Sequence, residues 1–165
     1  MIRINGERRE RMYDGFDFEA YLTEGIARLT GYCAAIVGRG DAEDAAQEAY
    51  LSLWKRLDRI PNEAAAGAYL YQAAYHIAVD MLRRRKRFPI PEMPPDAPDT
   101  VSPEMLEALG KLRPEDRAIL YGRVVDECGY DELAARFGKN EAWARKRYSL
   151  ARQKLAKLLT DKRRG

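Results

Sequence analysis

Six of the eight prolines in this chain fall between residues 88 and 104: Pro89, Pro91, Pro94, Pro95, Pro98 and Pro103. Proline lacks a backbone donor and clashes with the preceding helical turn, so neither a helix interior nor a central strand can run through such a stretch. The same stretch carries Glu92, Asp96, Asp99 and Glu104 and no base. It reads as an extended acidic linker, residues 88–102. The 165 residues are thereby divided into two parts, each of which must bury a core of its own.

Both parts read as helical. Residues 1–15 are polar, mixed in charge and expected to be flexible. From Phe16 to Val37 the apolar positions recur at three and four spacings: Phe18, Tyr21, Leu22, Ile26, Leu29, Tyr32, Cys33 and Ile36. Gly38 and Gly40 end that helix. Asp41 is then expected to cap a second helix, Ala42 to Leu57, with Asp44 at its third position. The Ala45, Ala49 and Leu53 stripe of this helix faces a core, and Trp54 reads as core too. Pro61 and Asn62 mark a break before a third long helix, Glu63 to Arg87. Beyond the linker, Ser102 with Pro103 forms a cap and first turn. Pro114 and Glu115 open a further helix that ends near Asp126. No strand pattern occurs. The expectation is an all-α chain of two small helical domains, residues 16–87 and 103–160, with a basic tail at 161–165.

The stretch from Asp131 to Leu155 narrows the function. Leu133, Ala134 and Phe137 fall at helical spacing, Gly138 supplies a permissive turn, and Asn140 caps a second helix with Glu141 in its first turn. That second helix presents Arg145, Lys146, Arg147, Arg152 and Lys154. Its apolar side, Ala144, Tyr148, Ala151 and Leu155, is expected to pack on the helix of Leu133 and Phe137. This is a helix-turn-helix pattern with a basic second helix suited to a DNA groove.

The formal net charge of +3 is too small to argue for nucleic acid by itself; the distribution is more telling. After Gly138 the bases are Lys139, Arg145, Lys146, Arg147, Arg152, Lys154, Lys157, Lys162, Arg163 and Arg164, against Glu141 and Asp161 alone. A second basic run is Arg83, Arg84, Arg85, Lys86 and Arg87. Such clusters set the field that a phosphate backbone meets. Cys33 and Cys128 are the only cysteines. They lie far apart in apolar helical contexts and read as reduced core residues. His76 is the only histidine, so histidine-pair metal sites and most acid–base schemes are excluded. Neither a metal nor a cofactor is expected, nor membrane insertion. No phosphate-cradling glycine loop or nucleophile–base pair appears, so the chain is not expected to be an enzyme. It reads as cytoplasmic.

Four segments, in order, resemble the extracytoplasmic-function (ECF) sigma factors of bacterial RNA polymerase. DAEDAAQEAYLSLW (Asp41 to Trp54) is similar to the DAEDLVQE…W segment of sigma region 2. AYLYQAAYHIAVDMLRRRKR (Ala68 to Arg87) is similar to WLYRIARNLAIDYLRRRRR. LRPEDRAILYGRVVDECGYDELAARFG (Leu112 to Gly138) resembles the LPxxxR…LSYEEIAEILG opening of region 4. EAWARKRYSLARQKL (Glu141 to Leu155) resembles VGTVKSRLHRARKRL. The chain departs from the family at Tyr69, Tyr75 and His76, where tryptophan, arginine and asparagine are usual. It departs again at Ser149 and Leu150, in positions that often touch the −35 element.

The resemblance implies roles for particular residues. Asp44, Gln47, Glu48 and Ser52 share one face. From pattern alone that face is a solvated one; the family uses it to dock on the clamp helices of the polymerase β′ subunit. The third helix combines rings with bases, which suits stacking on single-stranded DNA and following its phosphates. Its expected −10 contacts are Asn62, Tyr69, Tyr75, His76, Arg83, Arg84, Arg85 and Lys86. The expected −35 contacts are Lys139, Trp143, Arg145, Lys146, Arg147, Ser149 and Arg152, with Arg145 and Lys146 foremost, since Arg reads guanine bidentately. The implied partners are core RNA polymerase (β′ clamp helices and β flap), promoter DNA and an anti-sigma factor, with a monomeric free chain. A stand-alone helix-turn-helix regulator, or a sigma-like mimic that sequesters an anti-sigma factor, are the other classes the pattern admits.

Overall fold

A computed structural model describes residues 16–87 and 102–164. The expectations for residues 1–15 and most of the linker fall outside these residues. The described residues contain seven α-helices and no strand. The first unit holds α1 (Phe18–Val37), α2 (Arg39–Lys55), a 3-10 turn (Leu57–Arg59) and α3 (Glu63–Arg87). The second holds α4 (Pro103–Lys111), α5 (Pro114–Val124), α6 (Tyr130–Ala135) and α7 (Glu141–Arg164).

Side chains cap the starts of α1, α3, α4 and α7, whereas α2, α5 and α6 begin without a side-chain cap. Asp17 begins α1, its carboxylate accepting from the backbone N–H of Glu19 at 3.1 Å and of Ala20 at 3.3 Å. Ser102 accepts from Met105 N–H at 3.1 Å and opens α4, with Pro103 in the first turn as expected. Asp41 is not a cap. Gly38, at φ +87°, closes α1 and directly precedes α2, which begins at Arg39. Asp41 lies inside the first turn of α2, and its carboxylate pairs with Arg85. An acid in the first turn still suits the exposed N–H groups there.

In the first unit, α1, α2 and α3 pack around Leu29, Tyr32, Cys33, Ile36, Tyr50, Leu53, Trp54 and Leu70. Ala45, Ala46 and Ala49 of α2 and Ala66, Ala74 and Ala78 of α3 are all buried. Small side chains at these crossings let the backbones approach and the large rings fill the remaining space. Trp54 is core, as its spacing implied, with its ring 5.1 Å from that of Phe18. Both cysteines are buried thiols.

The second unit has two smaller clusters. Ile119, Cys128, Leu133, Ala134 and Ala144 form one. Leu112, Leu120 and Ala151 form the other, flanked by Leu109, Leu155 and Leu158. The apolar side of α7 therefore packs on α4 and α5 as well as on α6. The seam ends at Leu158, and α7 itself continues to Arg164 through most of the stretch expected as a basic tail.

The two units also touch. Helix α5 lies against α1. Arg117 donates to the carbonyls of Ala35 at 2.9 Å and Ile36 at 2.7 Å, which the last turn of α1 leaves without intrahelical partners. Burial lowers the Arg117 pKa from its ordinary value.

Candidate nucleic-acid interface

Helix α7 is the more clearly built of the two candidate surfaces. Asn140 accepts from Trp143 N–H at 2.9 Å, so the expected N-cap is present. Gly138 takes φ +64°, a left-handed conformation that glycine adopts without a Cβ penalty. The turn is closed by Lys139 N–H donating to Ala134 O at 3.0 Å. Lys139, Arg145, Lys146, Ser149 and Arg152 are exposed, while Ala144 and Ala151 behind them are buried. Arg145, Ser149 and Arg152 stand at three and four spacings and share one side of the helix, with Lys146 next to it. Arg145 stacks over the Tyr130 ring at 4.5 Å and lies 3.7 Å from Glu141. Arg152 lies over the Tyr148 ring at 5.7 Å.

Two expected −35 residues are placed differently. Trp143 is half-buried, its ring 5.3 Å from that of Phe137, and joins the apolar seam between α6 and α7. Arg147 turns inward: its Nε donates to Glu115 at 2.5 Å and lies 3.9 Å from the buried Asp116. Lys154 reaches Asp116 at 3.2 Å. These pairs tie α7 to the start of α5 and leave the exposed stripe free of them.

On the first unit, Asp44, Gln47 and Glu48 are exposed along the outer side of α2, opposite its alanine stripe. A shallow notch beside them is lined by Ile26, Ala27 and Thr30 of α1 with Glu43 and Gln47. Ser52 is half-buried and shares a hydrogen bond with the Tyr69 hydroxyl at 2.7 Å. One expected polymerase contact and one expected −10 contact are thus joined to each other.

The expected −10 residues divide in the same way. Asn62 is exposed and caps α3, accepting from Ala65 N–H at 2.9 Å. His76 is exposed, with its ring 5.5 Å from that of Tyr75. Arg83, Arg84 and Lys86 are exposed, Arg84 pairing with Asp80 at 3.0 Å. Arg85 instead turns back, pairing with Asp41 and donating to Val37 O at 2.7 Å. Tyr75 is half-buried because Phe137 of the second unit covers it, ring to ring at 5.2 Å. Burial raises the Tyr75 pKa above its ordinary value.

Sequence reasoning missed Arg136. It is 2% exposed and donates to Asp126 Oδ2 at 2.7 Å. Its position was a signal, since it falls three residues after Leu133 on the side of α6 that packs inward. Among the described residues no group of His, Cys, Asp or Glu could hold a metal ion, and no helix is long and apolar enough to cross a membrane.

Comparison with known proteins bears on both surfaces. The sigma-70 region 2 family model matches residues 26–88, and the sigma-70 region 4 model matches residues 103–155. The chain is 32% identical over 143 residues to the ECF RNA polymerase sigma factor SigM of Mycobacterium tuberculosis, covering 81% of this chain and 69% of that one. It is 27% identical over 166 residues to the RNA polymerase sigma factor CarQ of Myxococcus xanthus, covering 92% and 95%. Its fold is similar to that of the sigma factor RpoE, solved with the anti-sigma factor NepR from Bartonella quintana. The TM-score is 0.69 at 20% identity, covering 87% of this chain and 97% of that one.

Proposed function

The chain belongs to the ECF sigma factors of the sigma-70 family, which are transcription initiation factors, and on that premise we propose how its surfaces are used. The first unit is region 2 and the second is region 4. Region 2 docks on core RNA polymerase through Asp44, Gln47 and Glu48. Carboxylates and an amide on a rigid helix suit a basic partner helix, for which the β′ clamp helices are the expected source. Region 4 contacts the β flap and lays α7 in the −35 major groove. Arg145 and Lys146 read or steady the duplex there, with Lys139, Ser149 and Arg152 alongside. Arg147 holds α7 on α5 and is not assigned a base.

Along α3, Asn62, Tyr69 and His76 face the −10 element, and Arg83, Arg84 and Lys86 follow the phosphates of the opened strand. Arg85 fixes α3 to α1. Tyr75 can join this surface only when Phe137 leaves it. The chain acts in the cytoplasm with polymerase, and an anti-sigma factor is its expected regulator.

The observation that carries this reading is the pairing of two exposed surfaces on one chain. One is the cationic stripe of α7, backed by an apolar seam; the other is the acid–amide face of α2. A regulator acting without polymerase has no use for the second. Promoter-dependent run-off transcription with purified core polymerase tests the proposal: transcripts should start at a fixed point and depend on this chain. Core polymerase giving the same transcripts without it would refute the proposal.

A further inference from the structure

Two tyrosines of region 4 lie under the arginines that α7 presents. Tyr130, at the start of α6, and Tyr148, on α7, are half-buried against the cluster of Ile119, Leu133 and Ala144. Their ring centres are 6.2 Å apart. Arg145 lies 4.5 Å from the centre of Tyr130, and Arg152 lies 5.7 Å from that of Tyr148. Arg123, near the end of α5, touches both rings, at 4.3 Å from Tyr130 and 6.0 Å from Tyr148. Its Nη1 donates to Cys128 O at 2.7 Å, which anchors it to the loop before α6. Cations and rings therefore alternate from Arg145 through Tyr130, Arg123 and Tyr148 to Arg152, along roughly two turns of α7.

This ladder decides how the outer arginines can be used. A guanidinium over a ring gives its face to the π electrons and keeps the N–H groups along its edge. The Arg145 side chain is 62% exposed although it lies on Tyr130, and Arg152 is exposed as well. Each can stay on its ring while its edge meets DNA. An arginine already held in place loses less rotamer freedom on binding. Excluding water from the contact strengthens it further. The two ends of the ladder have different tasks. Arg145 stands in the first turns of the recognition helix, where side chains reach base edges. Arg152 stands two turns later, where a phosphate contact fixes the helix in register.

The family pattern VGTVKSRLHRARKRL has leucine, histidine and arginine where this chain has Tyr148, Ser149 and Leu150. A short hydroxyl and an apolar side chain leave the middle of α7 little to grip DNA with, and the same stretch carries a ring under Arg152.

We propose that Tyr130 and Tyr148 are positioning residues for the −35 duplex: Tyr130 sets Arg145 for a base edge, and Tyr148 sets Arg152 for a phosphate. These roles rest on the −35 reading of α7.

The test separates the two rings. Tyr130→Leu and Tyr148→Leu keep apolar packing and remove the ring; Tyr130→Phe and Tyr148→Phe keep the ring. NMR of the full chain should show the Hδ protons of Arg145 and Arg152 shifted upfield by the rings, in the native chain and in both phenylalanine variants. Each leucine variant should lose the shift of its own arginine. Complexes of the full chain with core polymerase are then offered a randomised pool of duplexes, and a preferred and a disfavoured duplex are titrated. Tyr130→Leu should narrow the ratio of the two affinities about two- to fivefold, the worth of one exposed cation–π contact. Tyr148→Leu should weaken both duplexes by about the same factor and leave the ratio unchanged. The phenylalanine variants should match the native chain.

Leucine variants that lose the shifts yet bind and discriminate like the native chain would overturn the positioning roles. Phenylalanine variants that fail as the leucine variants do would also overturn them, since only the ring face is invoked. A native complex that prefers no duplex in the pool would instead remove the −35 reading of α7, and the positioning roles with it.

Discussion

Removing the two ends of the Arg136–Asp126 pair should have unequal effects. The Arg136 side chain is 2% exposed and that of Asp126 is 4% exposed, with Nη1 and Oδ2 2.7 Å apart. Asp126→Ala leaves the guanidinium buried with no anion. Stranding one partner of a buried ion pair costs about 3–5 kcal/mol. Arg136→Met differs on each count. Asp126 keeps Arg28, which lies 3.4 Å from its carboxylate. The new side chain still packs on Tyr71, whose ring centre is 3.7 Å from the Arg136 guanidinium. Loss of a desolvated cation–π contact costs about 2 kcal/mol. Against that, the two unpartnered donors of Arg136 disappear, each of which opposes burial by roughly 1–3 kcal/mol. The net change for Arg136→Met is near zero, so the variants should differ by at least about 2 kcal/mol. With a urea dependence of ~2 kcal/mol per molar for a chain of this kind, the unfolding midpoints should lie about 1 M apart. Far-UV circular dichroism in urea reads this directly, and equal slopes show that both variants unfold the same surface. Equal midpoints, or a lower one for Arg136→Met, would refute the reasoning, because the cation would then be worth more than the desolvation it imposes.

Three further outcomes are expected. Leu133→Ala opens a cavity against Ile119, Cys128 and Ala144, and should cost roughly 2–5 kcal/mol, seen as a lower melting temperature for region 4. Burial pushes Cys33 up to about 12 and Cys128 up to about 11, from an ordinary 9.0. Their folded pKa values are raised, so the stability they contribute is present below pH 9 and is lost as pH rises from there through 11 to 12. Buried Tyr32 and Tyr50, also raised by desolvation, act in the same direction. The urea midpoint should therefore fall at alkaline pH, and a thiol reagent at neutral pH should label neither cysteine until the chain unfolds. Arg145→Ala should weaken −35 duplex binding by about 1–3 kcal/mol relative to scrambled DNA. Equal loss on both duplexes in a fluorescence anisotropy titration would demote Arg145 to a phosphate contact.

The helices were legible because their apolar spacing reports directly which side is buried, and Ala45, Ala49, Leu133 and Ala144 lie where that spacing put them. Local chemistry was legible where one side chain decides it, as at Ser102, Gly138 and Asn140. It misled at Asp41, since a carboxylate next to a helix start can equally sit one turn inside and pair with a distant Arg85. What could not be read was long-range pairing of charges. Arg85 and Arg147 look like any other base in a basic run, and only the fold shows that Asp41 and Glu115 turn them inward. The contact between the units was invisible for the same reason. Arg117, Tyr71 and Asp126 carry no periodic signal of meeting partners that stand 82, 65 and 98 positions away in the chain. Arg136 alone left a trace, as a cation on an apolar side.

The most direct measurement is association of the folded chain with purified core RNA polymerase, followed by size-exclusion chromatography and by titration. A stable one-to-one complex is predicted, lost in a folded variant carrying Asp44→Lys and Glu48→Lys, because both substitutions turn the exposed acid–amide face of α2 against a basic partner. A folded chain that does not associate with core polymerase, or that associates equally well with that face reversed, would contradict the proposed docking and the role in initiation built on it.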